Sequence, residues 1–216
     1  WILEKIMALR IKSQWFKGAA NKTPEQNGSA MAFITWRVAQ NTLKQMRTAK
    51  FDIDVGQQYF AVTRELLVFM LQVSDRMAYG YMDQSARMAF VHALVVRVAE
   101  ILQENEDSYL GPSPGQPRSH FDTFIDLYNE LAEHYAEFRF DDDGPDFAFV
   151  RYLGHRVEQL LPEKDRRWVI DQLMAAEVPQ AVQLLKRGLS GLIDTERQTI
   201  GRRGPALRSE ERRVGK

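Results

Sequence analysis

The stretch ELLVFMLQV, residues 65–73, decides the fold class of this chain, because apolar residues fill all but two of its positions. It lies in a region of helical spacing that predicts a helix from about residue 55 to about residue 80. At about 100° per residue, the apolar side covers more than half of the helix circumference. The remaining polar side carries Arg64, Glu65, Gln72, Asp75 and Arg76. A helix of this kind belongs at the centre of a helical bundle.

Local capping signals on both sides predict further helices. The motif TPEQ at 23–26 places Thr23 at an N-cap, with a proline and a glutamine at the positions that a capping box uses, and predicts a helix from about 24 to 48. Asp83 is the expected cap of a helix that runs to about 106. Ser119 and Asp122 are expected to cap one that runs to about 140. Later helices are expected to begin near Pro145, Pro162 and Pro179, the last ending near residue 194.

These signals predict an all-α protein, a helical bundle of about six to eight helices. The segment GPSPGQP at 111–117 precludes helix and predicts a linker. We therefore expect an N-terminal helical lobe at 7–110, a Pro/Gly linker at 111–118, a C-terminal helical lobe at 119–194 and a disordered tail at 195–216.

Both ends of the sequence carry features that look unrelated to the fold. Ordinary codons for RSEERRVGK, residues 208–216, reproduce the read-through of a common sequencing adapter, so this segment is expected to be an adapter-derived scar. Met7 is the first residue that could initiate translation, and codons for residues 3–5 resemble a bacterial ribosome-binding site. We expect residues 1–6 to be a translated leader.

Composition sets the broad class of the protein. The chain has 216 residues, no cysteine and a formal net charge of zero. Without cysteine it has no disulfides, thiolate zinc sites or cysteine nucleophiles, which fits a cytoplasmic location. No run of eighteen apolar residues occurs, so a membrane-spanning helix is not expected.

Charge is divided unevenly along the chain. Residues 1–50 hold nine Lys or Arg and two Asp or Glu, whereas residues 101–150 hold two and twelve. Nucleic-acid binding is not favoured, because the acidic centre would repel phosphate. Attraction of residues 7–17 to an anionic membrane surface is the alternative to docking on the bundle, but their apolar residues fall on all sides of a helix.

Catalytic and metal motifs are few. No phosphate-binding glycine loop and no nucleophile elbow occur, so nucleotide enzymes and serine hydrolases are not expected. The sequence indicates no catalytic residues and no cofactor. Glu130 with His134, and His155 with Glu158, could each place two metal ligands on one helix face. The acidic turn DDDGPD at 141–146 lacks the ligand spacing of a helix-loop-helix calcium site and is expected to precede a helix. His92 lies in an apolar stretch and is expected to be a core histidine.

The clearest functional pattern lies in HFDTFIDLYNELAEHYAEFRF, residues 120–140. Aromatic and leucine residues recur at helical spacing and predict a buried aromatic stripe, which consists of Phe121, Phe124, Tyr128, Leu131, Tyr135 and Phe138. Within an opposite arc of roughly 80° lie five carboxylates. We call these the acidic face: Asp122, Asp126, Glu130, Glu133 and Glu137. A solvated surface and a binding site for a basic partner both explain it.

The leading interpretation is a non-enzymatic interaction or adaptor protein that uses this face to bind a basic protein surface. The alternative is a bundle that binds a metal or small ligand through Glu130, His134, His155 and Glu158.

Overall fold

The computed structural model describes residues 22–111 and 119–203, with side chains described through Ile193. In this part of the chain there are seven α-helices, one π-helical turn and one short hairpin. They are α1 (Pro24–Thr48), α2 (Gln57–Tyr79), α3 (Gln84–Leu110), α4 (His120–Ala136), β1 (Phe140–Asp141), β2 (Gly144–Pro145), α5 (Phe147–Glu158), α6 (Glu163–Gln172), the π turn Leu173–Glu177 and α7 (Val178–Arg203). The predicted all-α helical bundle is confirmed.

Helices α1 and α3 begin where their caps predict. The Thr23 side chain accepts a hydrogen bond from the Gln26 amide, and the Gln26 side chain accepts one from the Thr23 amide. Asp83 caps α3 by accepting from the Ala86 amide at 2.9 Å. These side chains satisfy backbone donors that have no partner within the helix.

Helix α2 lies at the centre of the bundle, as its composition predicts. It packs against α1, α3, α4 and α5, and every residue from 65 to 74 is buried. The segment that contains ELLVFMLQV therefore supplies the hydrophobic core on most of its circumference.

Polar side chains of α2 form ion pairs and hydrogen bonds with three neighbouring helices, α3, α4 and α5. Arg64 pairs with Glu106 of α3 at 2.8 Å, and Glu65 accepts two hydrogen bonds from Arg156 of α5. Nearer the end of α2, Asp75 pairs with Arg87 of α3 at 3.3 Å. The bundle is thus fixed by ion pairs as well as by apolar contact.

Arg76, also on α2, binds the C-terminal end of helix α4. Its Nη2 donates to the backbone carbonyls of Tyr135 at 3.2 Å and Ala136 at 3.5 Å. The last carbonyls of a helix have no partner within the helix, and a guanidinium there also meets the negative end of the helix dipole. Helix α4 therefore stops at Ala136, before the predicted end near residue 140.

The helix expected near Pro145 begins two residues later, at Phe147, and the proline is not its first residue. Pro145 pairs with Phe140 in the antiparallel hairpin, and Gly144 adopts φ of 119° in its turn. Asp146 caps α5 instead, accepting from the Phe149 amide at 2.8 Å. The turn of the hairpin needs a residue with positive φ, and Gly144 can adopt it because it has no side chain. Pro145 follows directly and therefore lies in the second strand.

The end of the chain also differs from the prediction. Pro162 precedes α6 as expected, and a helix also begins near Pro179 as expected, because α7 starts at Val178, directly before Pro179. Pro179 stands in the first turn of α7, directly after the π turn Leu173–Glu177. Proline cannot donate a helical hydrogen bond, and a π turn accommodates such an interruption without ending the helix. Helix α7 then continues to Arg203, past the predicted end near residue 194.

Residues Lys22–Thr195 form one compact unit. Residues 112–118, which contain most of the predicted linker, lie outside the described residues, so the division into lobes stays a prediction. The predicted leader, the segment 7–17 and the segment 208–216 lie outside them too.

Candidate functional site

The acidic face is carried by α4, whose start is fixed by local capping. Ser119 accepts from the Asp122 amide at 3.1 Å, and the Asp122 carboxylate accepts from the Ser119 hydroxyl at 2.8 Å. This reciprocal arrangement sets the phase of the helix from its first turn. Asp122 thus has a structural role besides its place on the face.

All five carboxylates of the acidic face stand at exposed positions. Three of them, Glu130, Glu133 and Glu137, have no Lys, Arg or His nitrogen within 4.0 Å among the described residues. Like charges on one helix face repel, at a cost of a few tenths of a kcal/mol for each neighbouring pair. The face therefore carries negative charge that the described part of the bundle does not neutralise by direct pairing.

The opposite side of α4 anchors this face to the core. Phe124, Leu131 and Tyr135 are fully buried, and Tyr135 contacts Phe149 with ring centroids 4.8 Å apart. Phe69 of α2 completes the cluster, 5.4 Å from Phe149. Because aromatic packing fixes the rotation of α4, the carboxylates are held outward.

Tyr128 is only half-buried, although it belongs to the same aromatic stripe. Burial and the nearby charge of Asp75 raise the pKa of Tyr128 to about 12. Tyr135 is fully buried in the same stripe, and its burial raises the pKa of its hydroxyl to well above the ordinary value. The Tyr135 hydroxyl finds no hydrogen-bond partner among the described residues.

The predicted metal ligands lie on two helices but do not gather. His155 Nδ1 lies 3.2 Å from Glu158 Oε2 on α5, and its Nε2 accepts from Arg151 Nε at 3.2 Å. His134 on α4 instead packs against the Tyr152 ring, with centroids 5.8 Å apart. Among residues 22–111 and 119–193, no group of three or more His, Asp or Glu side chains could hold a metal ion.

Two other sequence expectations can be compared with the structure. The acidic turn at 141–146 precedes a helix, as expected, and Asp143 donates its amide to Asp141 Oδ1 at 3.0 Å. The expectation that His92 is a core residue is wrong, because His92 is exposed on α3. Phe90 and Leu94 face the core, and the residue midway between them points to the opposite side of the helix.

A buried ionic cluster was not predicted. Glu106 of α3 is fully buried, and its two carboxylate oxygens lie 2.8 Å from Arg64 Nη2 and 2.9 Å from His120 Nδ1. Burial raises the pKa of the Glu106 carboxyl, and attraction to Arg64 and His120 opposes that rise. The cluster joins the end of α3 to the start of α4. The only sequence signal was a glutamate on the apolar phase of α3, since Glu106 follows Leu102 by four residues.

None of the helices in the described part of the chain combines the length and apolar character needed to cross a bilayer. Comparison with family models, with curated proteins and with solved structures finds no match for this chain.

Proposed function

We propose that this chain is a non-enzymatic interaction protein whose acidic face binds a basic surface of another protein. The observation that supports the proposal is the exposure of all five carboxylates on one anchored helix, three of them without a cation within 4.0 Å in the described part. A partner with matching Lys or Arg residues would relieve their repulsion. Such complementarity mainly accelerates association and selects the partner.

The geometry of α4 suits a docking helix. Its aromatic side packs in the core, so a partner could bind the outer side as a rigid surface without disturbing the fold. Contacts between exposed charges weaken as salt increases, because the Debye length falls to about 8 Å at physiological ionic strength. Binding should therefore be sensitive to salt. The cytoplasmic location stays a prediction from the cysteine-free sequence.

The experiment is affinity purification with the wild-type chain and with the variant Glu133→Lys/Glu137→Lys as baits. The matched control is Glu104→Lys/Glu163→Lys, which changes the net charge equally at exposed positions on other helices. We expect a basic partner to be recovered with the wild type and the control but not with the α4 variant. Equal recovery with all three baits would contradict the proposal.

A stability measurement separates a partner site from pairing within the chain. If the acidic face pairs with the basic residues of segment 1–50, the α4 variant should lose stability at low salt, and added salt should reduce the loss. If the face is a partner site, the same variant should be neutral or slightly more stable at low salt. Urea unfolding at two salt concentrations distinguishes these outcomes.

A further inference from the structure

A groove of about 610 Å³ lies between α5, α6 and the π turn, separate from the acidic face. Its volume lies in the range of ligand-binding clefts. The side chains that matter for recognition are Phe147, Arg151, Arg167, Ile170, Asp171 and Met174.

The floor of the groove depends on close packing of two helices. A Cβ added at Gly154 of α5 would stand only 3.1 Å from Ile170 Cγ1 of α6, so the glycine allows Ile170 to approach. Met174 belongs to the π turn that follows α6. Ile170 and Met174 both line the groove, where they form a partly exposed apolar floor.

The charged groups around this floor are mainly cationic. Arg151 lies over the Phe147 ring at 5.9 Å and is oriented by its hydrogen bond to His155. Neither Arg151 nor Arg167 has a carboxylate within 4.0 Å among the described residues. In the part of the chain that the structure describes, Asp171 is the single acid that lines the groove. Two guanidinium groups with carboxylate-binding geometry are therefore available to a ligand.

One large aromatic side chain that lines the groove is exposed. Phe147 is 62% exposed. Aromatic residues and arginines are the side chains that most often supply the binding energy of protein interfaces. Their presence around one groove indicates a partner that offers both apolar side chains and carboxylates.

We propose that this groove binds an acidic amphipathic helical segment of another protein, with apolar side chains on Ile170 and Met174 and carboxylates on Arg151 and Arg167. The acidic face of a second copy is a poorer occupant. The apolar side of α4 is buried in its own core. The acidic face therefore offers carboxylates but no apolar side chains that could cover the floor of the groove. An amphipathic helix offers both.

The test uses the full chain and a fluorescent peptide of about four helical turns, with Leu and Phe along one face and Glu along the other. Fluorescence anisotropy measures binding to the wild type, to Arg151→Glu/Arg167→Glu and to Phe147→Ser. Arg37→Glu is the control, since Arg37 is exposed on α1. A peptide with Lys in place of Glu tests charge. Circular dichroism confirms that each variant is folded.

We expect the acidic peptide to bind the wild type and the Arg37 variant alike, and to bind the arginine double variant at least about tenfold more weakly. Phe147→Ser should weaken binding too, and the Lys peptide should bind poorly. Absence of binding to the wild type, or equal binding to the double variant, would overturn the proposal. So would wild-type dimerisation on size-exclusion chromatography that the double variant abolishes, because the second copy would then be the occupant.

Discussion

Arg156 of α5 donates two hydrogen bonds to the Glu65 carboxylate of α2, from Nε at 3.1 Å and from Nη2 at 2.7 Å. The hydrogen bond to Glu65 is the main cause that raises the pKa of Arg156. The two side chains differ in exposure, at 30% for Arg156 and 7% for Glu65. Removing one partner should therefore not cost the same as removing the other.

Arg156→Met should destabilise the protein more than Glu65→Gln. The first change leaves a buried carboxylate without its cation, at a typical cost of about 3–5 kcal/mol. The second leaves an arginine that water can reach, at about 1–2 kcal/mol. Urea unfolding of both variants and of the double variant Glu65→Met/Arg156→Met measures the difference. A larger loss for Glu65→Gln would contradict this account.

Glu106→Gln should alter how stability depends on pH. The pKa of Glu106 is raised by burial in the folded state above the ordinary value of 4.5. The Glu106 carboxyl therefore binds its proton more tightly in the folded protein than in the unfolded chain. This difference stabilises the fold fully below pH 4.5, and the stabilisation is lost as pH rises through the folded pKa. The glutamine variant lacks this titration.

We therefore expect the stability of the wild type, relative to Glu106→Gln, to fall as pH increases from about 4 towards neutrality. Unfolding in urea at several pH values measures the difference between the two proteins. If the stability of the wild type instead increases relative to the variant as pH rises, attraction to Arg64 and His120 affects the pKa of Glu106 more than burial does.

Tyr135 should tolerate loss of its hydroxyl but not of its ring. Tyr135→Phe removes a buried hydroxyl that has no partner among the described residues, so stability should stay unchanged or rise. Tyr135→Ala empties a fully buried aromatic site and should cost about 3–5 kcal/mol. Tyr128→Ala should cost less, because Tyr128 is only half-buried. Thermal unfolding of the three variants tests this order, and a larger loss at Tyr128 would contradict it.

Two glycine substitutions should have opposite effects. In α1, an added Cβ at Gly28 would clash with the carbonyl oxygen of Phe90 on α3. Backbone cannot yield as a flexible side chain does, so Gly28→Ala should cost about 1–3 kcal/mol. At Gly191 of α7 an added Cβ meets no atom of the described residues within 4 Å, so Gly191→Ala should stabilise by up to about 1 kcal/mol. Melting temperatures report both, and a stabilising Gly28→Ala would contradict the close approach of α1 and α3.

Local chemistry explains which parts of the fold could be predicted. The caps at Thr23, Asp83 and Ser119 act within three residues, so the sequence alone locates those helix starts. Helix α5 begins near Pro145, but the proline itself lies in the hairpin, because it pairs there with Phe140. The exposure of the acidic face could also be predicted, since helical phase alone places its carboxylates opposite the aromatic stripe.

The ion pairs could not be predicted, because their partners are distant in the sequence. Glu65 and Arg156 are 91 residues apart, and only the packing of α5 on α2 brings them together. The apolar groove has the same origin, since Arg151 and Arg167 belong to different helices. Periodicity gives the exposed side of a helix, but tertiary packing decides which charges meet.

The central position of α2 governs the order in which the molecule can open. Amide hydrogens exchange with deuterium when their backbone hydrogen bonds break, and those enclosed by other elements exchange only when the surrounding structure separates. The α2 amides between residues 65 and 74 are enclosed by four helices, so they should exchange at the rate of global unfolding. Amides on the exposed side of α4 lie outside this enclosure, so they should exchange faster than those of α2 while the packed side of α4 keeps the acidic face in place.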